Sequence, residues 1–139
     1  MIDLETTTMQ ALSHLKLLVN LALIDGKLTD SERQYIVNIG KANGVNEKEC
    51  VSLLEGKHDM TFSADLNSDQ KFDYVFSLVQ LMKIDNRLFK EEIKYCSQVA
   101  SRLGYKQDVM FELMLKVSTT MEESEIHTLR QLIDSYLIK

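Results

Sequence analysis

A chain of 139 residues with 45% apolar and 27% charged side chains has ordinary globular composition, which excludes disorder and fibrous classes. Sixteen basic against 21 acidic residues give a net charge of −5. With no basic run among aromatics, that charge speaks against a nucleic-acid partner. No proline and only five glycines favour continuous helices with short connections.

The first element is an apolar helix. Positions 12, 15, 18, 19, 22 and 23 form one stripe, which 17, 21 and 24 widen, as expected for a central helix. Its longest apolar stretch, Leu15 to Ile24, is interrupted by Lys16 and Asn20 and is too short to span a bilayer. Gly26 suits the left-handed turn that ends it. Thr29 then opens a second helix, with Glu32 completing a capping-box pattern. That helix closes at Gly44, and a third runs over 46–55. Residues 56–67 form an irregular connection, read as a loop within one core, with Ser68 capping the fourth helix.

The next segments repeat the first. Shifted by 60 residues, 14–44 lies on 74–104 without a gap, with nine identities in 31 positions. Chance would give roughly two. Leu18, Val19, Leu21, Ile24, Asp25, Leu28, Glu32, Tyr35 and Gly44 fall on Leu78, Val79, Leu81, Ile84, Asp85, Leu88, Glu92, Tyr95 and Gly104. Helical patterning alone inflates apolar matches, but not paired Asp, Glu, Tyr and Gly. The second copy therefore predicts an apolar helix over Phe72–Ile84, a turn at Asn86, a helix closed by Gly104 and another over Lys106–Val117. A Ser118–Thr120 cap precedes a final amphipathic helix over 121–137. The expectation is a single all-α domain, 1–139, with repeats over about 12–55 and 72–117 and seven helices in all.

An apolar helix running into Ile24-Asp25-Gly26-Lys27-Leu28-Thr29-Asp30-Ser31-Glu32 resembles the signature of the TerB-like (tellurite-resistance) family. The likeness extends over about residues 12–135. It implies a seven-helix orthogonal bundle with an internal pseudo-two-fold repeat, in a cytoplasmic protein associated with stress or tellurite resistance. It also implies an acidic surface binding a divalent cation. On this chain the matching positions are Asp25 and Glu32, with Asp85 and Glu92 in the second copy. The second copy departs from the pattern, with Asn86 for Gly26 and Phe89-Lys90 for Thr29-Asp30. The His-Pro-Asp motif of the J-domain attached to some relatives is absent.

Chemistry alone allows two readings of these acids. Asp25 and Asp85 fall at helix C-termini, where the macrodipole disfavours negative charge and a compensating partner is needed. Asp25, Asp30 and Glu32 offer oxygen ligands suited to Mg²⁺ or Ca²⁺. Alternatively, each Asp accepts from turn amides, each Glu closes a capping box, and Lys27 and Arg87 neutralise the charge. The module would then be a protein–protein interaction domain without metal. An EF-hand is excluded, because Leu21 and Leu23 occupy positions needing oxygen ligands.

Asn20 and Gln80, polar at matched positions in apolar helices, are expected to bond one another or a nearby Tyr. Tyr35 and Tyr95 are expected to be half-buried on the faces of Glu32 and Glu92. His14 is expected on a helix flank, His58 in the loop and His127 exposed, without zinc-ligand spacing. Met110 and Met114 read as core filling. Cys50 and Cys96, without a CxxC or a neighbouring base, point to a reducing cytosol and not to reactive thiols. With no phosphate loop or nucleophile elbow, the expectation is a non-enzymatic protein.

Overall fold

The computed structural model describes residues 4–60, 65–84 and 89–138, with side chains from residue 9 onward. Seven α-helices occur among them: α1 Leu4–Ala22, α2 Asp30–Ala42, α3 Glu47–Leu53, α4 Ser68–Lys83, α5 Lys90–Arg102, α6 Val109–Lys116 and α7 Glu123–Asp134. No strand is present among the described residues beyond a single bridge between Tyr105 and Leu137. No described helix is long and apolar enough to cross a membrane.

The chain forms two compact units, Met1–Ala64 and Asp65–Lys139, divided within the connection read from sequence as a loop. In the first unit α1, α2 and α3 each pack on the other two. Leu15, Leu17, Leu18, Val19 and Leu21 of α1 are essentially inaccessible, with Ile36 and Val37 of α2 and Cys50 of α3. The wide apolar stripe of α1 thus does what its breadth requires. The tightest approach is at Gly40 of α2, where a β-carbon would lie 2.2 Å from Cys50 Sγ and 3.3 Å from Leu15 Cδ1. Glycine there is a packing requirement, because only hydrogen fits between the helices.

In the second unit α4 packs on α5, α6 and α7, while α6 packs on both α5 and α7. Phe72, Val75, Leu78, Val79 and Leu81 of α4 are buried with Val99, Leu113 and Ile133. Arg130 of α7 lies 4.8 Å above the Phe72 ring. It also reaches Asp69 at 3.4 Å and Asp73 at 3.3 Å. One guanidinium therefore ties α7 to the first two turns of α4 by charge and ring face together. Lys83, at the other end of α4, donates through Nζ to the carbonyls of Met114 and Val117, each at 2.5 Å. It supplies donors that the last turn of α6 lacks within its own backbone.

Local chemistry sets the helix ends. Gly44 and Gly104, directly after the caps of α2 and α5, adopt φ of 84° and 97°, the left-handed region that ends a helix cheaply only with glycine. Gly26, at 81°, lies in the turn four residues beyond the end of α1 and not at its terminus. Thr29 and Glu32 form the expected capping box. Other boundaries differ from expectation. The cap of α4 is Asn67, whose side chain accepts from Gln70 N while Gln70 Oε1 accepts from Asn67 N. Ser68 is instead the first helical residue. The final helix starts at Glu123, not 121, and Glu125 Oε1 accepts from the Glu122 amide at 3.0 Å. The helix expected from Lys106 starts at Val109. Lys106 N donates instead to Tyr136 O and Ile138 N to Gly104 O, both at 2.8 Å, stitching the turn after α5 to the tail.

Candidate functional site

The acids of the first turn are placed by the end of α1 and the start of α2. α1 ends at Ala22, so Asp25 falls three residues beyond it, exposed in the turn. Its Oδ1 accepts from Lys27 N at 3.0 Å, an Asx-type turn. The acid expected at the helix C-terminus therefore lies past it, bonded to a peptide N–H of the turn. Glu32 is 8% exposed, and its Oε1 accepts from Thr29 N at 3.0 Å while Thr29 Oγ1 accepts from Glu32 N at 3.1 Å. Asp30 is exposed in the first turn of α2, where the helix dipole favours negative charge.

The second turn is matched only in part. Asp85, with Asn86 and Arg87, lies outside the described residues. Glu92 is 6% exposed in the first turn of α5. There the cap is Phe89, which has no side-chain acceptor to offer, and Glu92 N donates to Phe89 O at 3.0 Å. The Thr29 hydroxyl bond of the first copy has no equivalent.

A hard divalent cation needs roughly six oxygen ligands around one point. Among the described residues no group of three or more His, Cys, Asp and Glu side chains gathers in this way. One oxygen each of Asp25 and Glu32 accepts from a local amide.

Asn20 has a different partner from those expected, and Gln80 reaches a backbone carbonyl. Asn20 Nδ2 donates to His58 O and Asn20 Oδ1 accepts from His58 N, both at 2.7 Å. Gln80 Nε2 donates to Ser118 O at 2.9 Å. Each amide therefore anchors the irregular stretch that comes after the third helix of its own unit. Asn20 and Gln80 are 60 residues apart, and so are His58 and Ser118. An amide on an otherwise apolar helix reaches a loop carbonyl as readily as another amide, and the sequence does not say which.

His14 is 7% exposed and not on an open flank, and burial lowers its pKa to about 4. His58, in the loop as expected, has Nε2 2.8 Å from Leu53 O. His127 is exposed. Burial also pushes the thiols of Cys50 and Cys96 up, Cys96 being raised further by the Glu92 carboxylate. Neither thiol has the low pKa of a nucleophile. Met110 is buried and Met114 half-buried, as core filling requires. Tyr35 and Tyr95 are half-buried.

The surface feature not anticipated from sequence is on α6 and α7. Phe111 and Leu115, one turn apart on α6, are 71% and 68% exposed. Leu115 also forms one wall of a groove of about 570 Å³ between the two helices, shared with Lys116, Met121, Glu125, Leu129 and Leu132. The signal available in the sequence was Val-Met-Phe-Glu-Leu-Met-Leu, apolar on more sides than one core contact uses. A smaller cleft of about 350 Å³ lies among Lys16, Lys57, His58 and Asp59. Comparison with family models, curated proteins and solved structures finds no match for the chain.

Proposed function

We propose that this chain is a non-enzymatic, cytoplasmic protein–protein interaction module of TerB-like architecture, an orthogonal bundle with an internal repeat. The observation carrying the interaction reading is the exposed Phe111–Leu115 ridge beside the α6–α7 groove. Two large apolar side chains in water, one of them lining a groove, incur a solvation cost that a partner removes. The repeat is supported by the paired Asn20–His58 and Gln80–Ser118 bonds, and by the left-handed glycines 44 and 104. In this reading the turn acids serve the fold, Asp25 through Lys27 N and Glu32 through Thr29 N.

The test is a photo-crosslinking residue placed at Phe111 in living cells, with exposed Lys94 as control position. Defined covalent adducts from position 111 and none from 94 support the module. No adduct from 111 overturns it. Thermal melts with Mg²⁺, Ca²⁺ or Mn²⁺ complete the experiment, since a ligand that binds only the folded state raises Tm. The expected result is no shift. A rise in Tm that Asp25→Asn abolishes would return the turn to metal binding.

A further inference from the structure

We infer that the α6–α7 face binds a second copy of this chain, in a two-fold dimer with the α6 helices antiparallel. The inference rests on the interaction reading and names its occupant. The face carries a protrusion and a recess side by side. Phe111 and Leu115 stand out from α6, and the groove floor is made by Met121, Leu129 and Leu132. A two-fold interface requires just this, because each copy must offer both the knob and the hole.

The spacing is compatible. Phe111 precedes Leu115 by four residues, about 6 Å along a helix axis. When two α6 helices cross antiparallel at Leu115, Phe111 of each copy lies about 6 Å beyond the other's Leu115. That is the direction of the chain leaving α6 toward Met121, at the groove.

Charge identifies the occupant. The groove walls carry one basic residue, Lys116 on α6, and one acidic residue, Glu125 on α7. Complementary charges across an interface fix its register and suppress wrong partners. A patch with one charge of each sign, on opposite walls, pairs with itself when a two-fold axis brings Lys116 of each copy to Glu125 of the other. Both residues are exposed, and Glu125, whose Oε1 accepts from Glu122 N, has its second carboxylate oxygen to offer.

Sedimentation equilibrium of the full chain, from about 1 to about 100 µM, tests this over the range where weak, specific dimers dissociate. The expected mass rises from one chain toward two. Leu115→Glu is expected to keep one chain's mass throughout, with an unchanged helical circular-dichroism spectrum. Lys116→Glu and Glu125→Lys should each weaken the dimer at least tenfold, and an equimolar mixture of the two variants should restore it. Loss of fold cannot mimic that restoration. A monomeric wild type, or a dimer indifferent to Leu115→Glu, overturns the inference. If the wild type is monomeric yet position 111 still crosslinks to a protein of another mass, the dimer fails and the module reading stands. If position 111 crosslinks to nothing, both fail.

Discussion

Replacing Gly40 by alanine is expected to destabilise the first unit, although alanine is the better helix former by about 1 kcal/mol. Gly40 has no left-handed φ, so its conformation would accept a side chain, and the objection is steric. The new methyl would sit 2.2 Å from Cys50 Sγ and 3.3 and 3.6 Å from the Leu15 methyls. Relaxed carbon contacts need about 3.5–4 Å. Cys50 is 0% and Leu15 1% exposed, so neither can swing into solvent. Overpacking of this kind costs about 1–3 kcal/mol, and a clash demanding more than an ångström of movement belongs at the upper end. Set against the propensity gain, the net loss is about 2 kcal/mol. Urea melts of Gly40→Ala, Cys50→Ala and the double variant measure it. Cys50→Ala alone should cost about 1 kcal/mol for the vacated sulfur, and the double variant should be more stable than Gly40→Ala. Unchanged or raised stability of Gly40→Ala, or strict additivity in the double variant, would refute the packing argument.

Two further predictions concern a buried imidazole and a half-buried ammonium. His14, at about 4 instead of 6.5, is neutral when folded. Its contribution is complete above pH 6.5 and is lost as pH falls toward 4, amounting to about 3 kcal/mol. His14→Gln should flatten the pH dependence of urea stability in that interval, and an unchanged slope would show that His14 does not carry it. Lys83→Met keeps the aliphatic stem and deletes both bonds to the end of α6, at an expected cost of about 1–3 kcal/mol. Faster amide exchange in α6 should accompany the lower stability, while a neutral substitution would mean that water replaces the ammonium.

What was legible in the sequence was local. Gly26, Gly44, Gly104 and the Thr29–Glu32 box act within a few residues, so composition and spacing reveal them. Asn67 was equally legible, since Gln70 stands three residues on, but Ser68 beside it is also a good cap and the choice fell one residue late. The start of α6 was not legible, because Lys106 N is claimed by Tyr136 O from thirty residues away. His14, Lys83 and Arg130 belong with it. Each is defined by what another helix brings near, and a polar residue at a helical position looks the same in sequence whether it faces water or a neighbour. Asp30, Glu32 and Glu92 stand at the helix starts that their spacing assigns them, while Asp25 lies in the turn past the end of α1 and not at its terminus. That spacing suits a cap and an ion equally, and the bonds to Lys27 N and Thr29 N are contacts that spacing alone does not reveal.

The paired bonds between Asn20 and His58 bear on how the first unit would yield to proteases. One side chain holds both the N–H and the C=O of His58, the pair of bonds that a neighbouring strand supplies in a sheet. A protease must draw several residues into extended form before it can cut. Residues 57–60 should therefore survive digestion until α1 itself loosens, and Asn20→Ala would open them to cleavage with the helices still folded.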